Sequence, residues 1–241
     1  MSESYSAFVS AGAVVLLSPD MTVQERQDVL NSTLFAQLVA DKKYPGSRNA
    51  NGWYERYQEV LKDSWLQRTA AWHDWSLKAD SNLTVADWVN NQLAQSVPQT
   101  VSSPAVQALN IMAELPDAHP AIELLQKNVL KNSEEHPSKI TFGCQVSVLV
   151  ILAQRGPTLN SVYLAFESAA SVASNPLKQV LSLDNVKGNI VLKRLQADLS
   201  DALYRPVRER IVKKLGDKAS QNILEVLEPA KNESPPSSEA P

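Results

Sequence analysis

The only cysteine in the chain, Cys144, is the first residue to consider as a chemical group. A thiol can act as a nucleophile or carry a fatty acyl chain as a thioester, and the thiolate is the reactive form in both cases. Lys139 is the only basic residue close to it in the sequence. A free cysteine is also among the most often buried residue types and usually packs as a small hydrophobic side chain. The sequence therefore leaves two interpretations of Cys144 open, a modified group and a core residue.

The three histidines form no recognisable catalytic or metal-binding pattern. His73, His119 and His136 have no metal-ligand spacing to one another or to Cys144. His73 and His136 could meet a nucleophile in the folded chain, but no local motif supports this. The sequence has no Gly-rich phosphate loop, no HExxH motif and no GxSxG motif. We therefore expect no metal and no dissociable cofactor, and we favour a non-enzymatic function over an enzymatic one.

All five tryptophans lie in one short part of the chain, between residues 53 and 88. They predict a single packed aromatic cluster near the helical half of the protein, because each ring buries a large area. Tryptophan also suits the wall of an apolar pocket or a membrane interface, since one edge of the ring is polar. The candidate apolar pocket consists of Phe142, Val146, Val148, Trp53, Trp65, Trp72, Trp75 and Trp88.

The element that must position Cys144 is the most apolar window of the chain, residues 140–152, with the sequence ITFGCQVSVLVIL. Its β-branched and aromatic side chains predict a strand. The two-residue period of a strand places Cys144 on one face with Phe142, Val146 and Val148. Because a second strand pattern follows over residues 160–171, we expect an antiparallel pair at the centre of a sheet.

The remaining patterns place helices mostly before this window and strands mostly after it. Capping and periodicity predict helices that begin near Thr22, Trp53, Thr84, Ser103, Pro120 and Ser200. Pro206 should interrupt the last of these, and further helix is expected over residues 219–227. Strand or extended patterns cover residues 11–17, 65–77, 177–183 and 189–197, the second of which also fits a helix. The order predicts the α+β class, with a helical N-terminal half packed on an antiparallel sheet formed mainly by the C-terminal half.

The length of the chain indicates its domain organisation, and its net charge limits the kinds of partner it can bind. The 241 residues predict a single domain over residues 1–228 and a disordered, Pro- and Ser-rich tail over residues 229–241. A net charge of -3 gives no basic footprint for nucleic acid, and one cysteine cannot form an internal disulfide. The apolar window is shorter than the roughly 20 residues of a membrane span. We expect synthesis in the cytoplasm, followed by export without a cleavable signal peptide or by membrane association.

Three segments together resemble the Erwinia virulence factor (Evf) family of bacterial proteins. They are residues 30–44, which contain LNSTLFAQL and KKY, the tripeptide Phe142-Gly143-Cys144, and residues 207–217, which run from VR to KLGD. The resemblance covers most of residues 20–225. It implies an α/β fold, a fatty acyl chain held as a thioester on a cysteine in an apolar tunnel, and a role in persistence inside an insect host without a known catalytic reaction. Cys144 is the only residue that could match the acylated cysteine.

With this resemblance, we expect a non-enzymatic virulence or host-persistence effector that is associated with lipid. It would carry a fatty acyl thioester on Cys144 and contact membranes, so its expected partner is a membrane or a fatty acyl chain and not nucleic acid. The sequence identifies no protein partner. The alternative is a soluble module that binds a protein or a small apolar ligand, with Cys144 as a core residue.

Overall fold

An eight-stranded sheet with helices on both faces forms the centre of the protein. The computed structural model describes residues 4–45, 51–75, 82–132, 143–169 and 171–227. The strands are β1 (Ser6–Ser10), β2 (Ala13–Leu17), β3 (Trp65–Trp75), β4 (Leu83–Thr84), β5 (Leu130–Asn132), β6 (Cys144–Gln154), β7 (Thr158–Ser168), β8 (Val180–Leu181), β9 (Val186–Leu199) and β10 (Ile223–Leu227). The α-helices are α1 (Val23–Lys43), α2 (Asn51–Leu61), α3 (Val85–Ser96), α4 (Gln99–Glu114), α5 (Pro120–Val129), α6 (Asp201–Tyr204), α7 (Arg208–Leu215) and α8 (Lys218–Asn222). Phe142 and the predicted tail, residues 229–241, lie outside the described residues.

The strand order of the main sheet is β10-β1-β2-β6-β7-β9-β3, and β5 pairs with the first residues of β6. Its neighbours are antiparallel except β2 and β6, which run parallel, so the sheet is mixed. Five of its eight strands come from the C-terminal half of the chain. The predicted α+β class is confirmed, with one parallel pair in the sheet that was expected to be antiparallel. The short strands β4 and β8 form a separate pair.

The two faces of the sheet carry two separate apolar cores. Helices α3, α4 and α5 cover the face that carries Val146, Val148 and Leu192, which we call the α3 face. Helices α1 and α2 cover the opposite face, the α1 face, where for example Trp53 of α2 stacks on Tyr163 of β7. The alternation of side chains along each strand produces this division, because successive residues point to opposite sides. Both faces of β6 are buried, as its continuous apolar sequence requires.

The predicted apolar run, residues 11–17, forms a turn and the strand β2, which pairs in a hairpin with the preceding strand β1. Ala11 turns the chain with a φ of 50°, in the left-handed region that few non-glycine residues adopt. The buried side chain of Gln37 holds this turn, since its Nε2 donates to the Ser10 carbonyl at 3.1 Å and its Oε1 accepts from the Gly12 N–H at 3.2 Å. A polar residue in the middle of α1 thus satisfies backbone groups that the turn would leave unpaired.

Several local predictions are confirmed, including the strand at residues 65–75 and both capping boxes. Thr22 pairs with Glu25 at the start of α1, and Thr84 pairs with Asp87 at the start of α3. The last helical region is divided into α6 and α7 on either side of Pro206, as the lack of an N–H in proline predicts.

Three local predictions are wrong. Helix α4 begins at Gln99 and not at Ser103, because the Pro98 carbonyl already accepts the N–H groups of Val101 and Ser102. Residues 177–183 form a single 3₁₀ turn and the two-residue strand β8, since the Asn175 side chain caps the Leu177 N–H. Residues 219–227 are helical only to residue 222 and then form β10, which pairs with β1.

Candidate functional site at one end of the sheet

Cys144 is the first residue of β6 and lies at one end of the sheet. It pairs with Asn132 of β5 and Ser168 of β7, and its side chain is 8% exposed. Burial raises the pKa of the thiol, and a hydrogen bond with the Lys131 backbone only partly offsets this. The thiol is therefore protonated at neutral pH, which makes it a weak nucleophile.

The strand register connects Cys144 with the end of the edge strand β3. Val148, Leu164, Leu192 and His73 form one row of paired residues across four strands. Val146 of β6 lies two residues from Val148, and Trp75 of β3 lies two residues from His73. Both are on the α3 face and closer to the end of the sheet that holds Cys144. Trp75 also contacts Trp88 of α3 edge to face, with ring centroids 5.8 Å apart. The structure therefore brings four predicted pocket residues to one face of the sheet: Val146, Val148, Trp75 and Trp88.

The other tryptophans lie elsewhere, so the expected single cluster is wrong. Trp53 and Trp65 are buried on the α1 face, where the Trp53 ring stacks on Tyr57 at a centroid distance of 5.6 Å. Trp72 is half exposed on the α1 face of β3. The rings are separated because α2 and α3, although close in sequence, pack on opposite faces of the sheet.

Large apolar side chains are exposed at the end of the sheet where β3 ends and β9 begins. They are between 37% and 54% exposed and comprise Trp75, Leu83, Val180 and Leu183. Leu83 pairs with Leu181 and Thr84 with Val180 in the β4–β8 pair, and Leu183 lies between β8 and β9, so the segments that carry these side chains adjoin the same end of the sheet. We call this surface the apolar end. Cys144 belongs to the same end of the sheet, because Ser168 connects it through β7 to Val186, the first residue of β9.

A buried lysine, Lys193, lies beside Trp72 and was not predicted. Its ammonium group is 4.6 Å from the centroid of the Trp72 ring and 5.1 Å from that of Tyr54. Burial lowers the pKa of Lys193, while Glu55 and Asp74 act in the opposite direction. The sequence did indicate this position, because Lys193 lies midway between Val191 and Leu195. The two-residue period of a strand puts all three side chains on the same core face.

A groove lies at the opposite end of the sheet, between α1, α2 and α7. It has a volume of about 260 Å³ and is lined by apolar side chains, two basic residues, Arg210 and Lys214, and one acidic residue, Asp63. The apolar residues are Phe35, Val60, Val207 and Ile211. Ser64, which precedes β3, also lines it, so the groove is separated from Cys144 by the length of β9, roughly 40 Å for 14 residues. We call it the helical groove.

The two histidines within the described residues lie on different elements, His73 on β3 and His119 just before α5. His119 caps α5, where its Nδ1 accepts the Ala121 N–H at 3.2 Å, and His73 is exposed on β3. His136 lies outside the described residues. Within the described ranges, no group of three or more His, Cys, Asp or Glu side chains could hold a metal ion. None of the helices found there combines the length and the apolar character that crossing a bilayer requires.

Comparison with known proteins gives structural similarities only. No family model and no curated protein matches the sequence. The structure is similar to a delta-endotoxin, with 12% identity over 79% of this chain and 82% of that one and a TM-score of 0.41. It is also similar to the Evf virulence factor, with 8% identity over 89% of this chain and 82% of that one and a TM-score of 0.35. Evf is the type member of the family that the three sequence segments resemble, but at these TM-scores neither similarity carries an argument about function.

Proposed function

We propose that the chain is a non-enzymatic effector that contacts membranes peripherally through the apolar end. The observation that carries this proposal is that several large apolar side chains, Trp75 among them, are exposed at this end of the sheet. Exposed apolar groups that lie together mark contact sites for proteins or membranes. Tryptophan favours the membrane alternative, because its ring suits the boundary between hydrocarbon and water. The virulence or host-persistence role enters this proposal from the sequence resemblance alone.

Trp72 extends the contact to the second face of β3. It is 53% exposed, lies three residues before Trp75 and projects from the other face of this edge strand. A membrane that approaches the edge of the sheet would therefore meet both rings. The net charge of -3 and the carboxylate of Asp74, which accepts a hydrogen bond from the Trp72 indole at 3.2 Å, do not favour an anionic surface. The proposed membrane surface is zwitterionic.

Cosedimentation with phosphatidylcholine vesicles tests this contact. We expect binding that changes little with salt, because screening weakens attraction between charges and not apolar burial. The exposed part of each ring is roughly 100 Å², which corresponds to at most about 2.5 kcal/mol. If about a third of this area is buried on binding, the double variant Trp72→Ala/Trp75→Ala should bind about tenfold more weakly.

The matched control is Leu66→Ala, which removes a side chain of similar exposure, 55%, from the other end of the same strand. It should bind vesicles as the unchanged protein does, and all variants should stay folded, with thermal midpoints lowered by no more than several degrees. Equal binding by the double variant and the control would reject the apolar end as the contact surface.

A fatty acyl thioester on Cys144 is the second part of the proposal. Its support is the position of Cys144, which is buried on the α3 face at the same end of the sheet as Trp75. An acyl chain contributes about 0.8 kcal/mol for each buried CH₂ group, so a chain held inside the protein would act as core. Cys144 does not line the helical groove.

The helical groove supports a second candidate function, the binding of a small apolar ligand. Its apolar side chains fit the hydrocarbon chain of a free fatty acid. The carboxylate would meet Arg210 or Lys214, which outnumber the single acidic lining residue, Asp63. In this case Cys144 remains a core residue. The distance of roughly 40 Å along β9 prevents one acyl chain from serving both sites.

One experiment on protein purified from its native source separates the two lipid sites. A thioester on Cys144 adds an acyl mass to the intact protein, which neutral hydroxylamine removes and which Cys144→Ser lacks. A fatty acid in the helical groove leaves the intact mass unchanged and is released by solvent extraction after denaturation. Unmodified protein without extractable fatty acid would reject both assignments.

A further inference from the structure

A polar cleft lies on the α3 face of the sheet, where three neighbouring strands meet the end of α3. Its volume is about 220 Å³, and it lies between β7, β9, β3 and the last residues of α3. Two rows of paired residues form its floor. One row is Asn160, Gln196 and Thr69, and the other is Val162, Arg194 and Ala71. Gln95 and Ser96 of α3 also line the cleft.

The cleft lies between the apolar part of the α3 face and a polar row formed by Thr158 and Asp198. The Nδ2 group of Asn160 in it has no hydrogen-bond partner among the described residues. The Asn160 side chain is only 3% exposed. A buried polar group left in this way costs about 1–3 kcal/mol. A single water needs only about 10–15 Å³ of such space, so one water molecule would not fill the cleft.

Arg194 supplies the second set of donors. Its guanidinium makes no hydrogen bond and no ion pair with any residue of the described ranges, and no acidic side chain is among the residues that line the cleft. Asn160 pairs with Gln196, two residues from Arg194 on β9, so the two side chains are diagonal neighbours at roughly 7–8 Å. That separation is within the reach of the long arginine side chain. A ligand between them would meet N–H groups from both.

We propose that this cleft binds a small molecule through an oxyanion, a phosphate or carboxylate group. Both Arg194 and the Asn160 amide nitrogen only donate hydrogen bonds, so the ligand must supply acceptor oxygens. The fork of N–H groups on arginine fits two oxygens of one carboxylate or phosphate. The hydroxyl of Thr69 and the amides of Gln95 and Gln196 can bind further polar groups of the same molecule. The site lies away from the apolar end and does not depend on the proposed membrane contact.

Isothermal titration calorimetry of the full chain at constant ionic strength tests the proposal. The probes are inorganic phosphate, phosphocholine as a soluble lipid headgroup, and citrate. We expect at least one of them to bind saturably with a Kd on the order of 1 mM or lower. Binding of phosphate and phosphocholine would identify a phosphate site that admits a headgroup, binding of phosphate alone a site for free phosphate, and binding of citrate alone a carboxylate site.

Two variants connect the binding to this cleft. Arg194→Gln should weaken binding at least tenfold, whereas Arg56→Gln, which makes the same charge change on α2 over the opposite face, should leave it unchanged. Asn160→Leu should abolish binding and keep or raise the thermal midpoint, because an apolar side chain replaces the unpaired amide. Absence of saturable binding for every probe, or binding that Arg194→Gln leaves intact, would overturn the assignment.

Discussion

Replacing Trp65 with alanine should lower the free energy of unfolding by about 3–5 kcal/mol, the usual cost of truncating a buried aromatic ring. The Trp65 side chain is 1% exposed in the core of the α1 face. Its indole N–H donates to the Ser32 hydroxyl at 3.1 Å, which ties the first residue of β3 to α1. The alanine variant would lose this hydrogen bond and leave a cavity that the close-packed interior cannot fill. Urea denaturation followed by circular dichroism measures the effect.

Trp72→Ala is the matched control, because it removes the same side chain from the same strand at an exposed position. It should cost about 1 kcal/mol or less. Since a loss of up to about 5 kcal/mol could unfold the protein outright, Trp65→Phe provides a milder change with an expected cost of about 1–2 kcal/mol. Equal costs at the two positions would contradict the division of the tryptophans into buried and exposed rings.

The contrast between these two tryptophans shows what the local pattern of the sequence could predict. The β-branched and alternating side chains were sufficient to predict strands at β6 and β7, whereas residues 65–77 fitted a helix as well as the strand β3 that forms. The capping boxes at Thr22 and Thr84 marked the starts of two helices. Such signals involve only a few neighbouring residues. The face of the sheet that each helix covers is decided by packing between distant segments, so nearness in sequence wrongly suggested that Trp53 and Trp88 share a cluster.

The polar cleft was hidden from the sequence for a related reason. Asn160, Arg194 and Thr69 are separated by many residues, and no short motif contains them. They meet only through the registers of β7 with β9 and of β9 with β3. The sequence did nominate Cys144, because a single cysteine in an apolar strand is visible without any tertiary contact. Cys144 is buried on the same face as Val146 and Val148, as the strand period predicted. Whether the thiol is acylated is tested by the mass of the intact protein.

A second large effect is expected at the ion pair that joins α7 to α1. Arg208 donates to Asp28 through Nε at 2.9 Å and Nη2 at 2.7 Å, although the two residues are 180 positions apart. The Asp28 side chain is only 5% exposed, and the guanidinium also lies over the ring of Tyr204. Arg208→Ala would leave a buried carboxylate whose remaining side-chain donor among the described residues is Gln24, at 2.8 Å. We expect a loss on the order of 3 kcal/mol, because a buried charge without its partner is costly.

A double-mutant cycle separates the pair from the packing around it. Asp28→Asn removes the charge that Arg208 neutralises, so the double variant Asp28→Asn/Arg208→Ala should lose clearly less stability than the sum of the two single variants. Arg205→Ala is the control, because the ion pair of Arg205 with Asp201 is exposed and should contribute no more than about 1 kcal/mol. If the single losses were additive, or if Arg208→Ala cost no more than Arg205→Ala, the ion pair would not be what holds α7 against α1. A measured coupling would instead show that this long-range contact positions the helix that forms one wall of the helical groove.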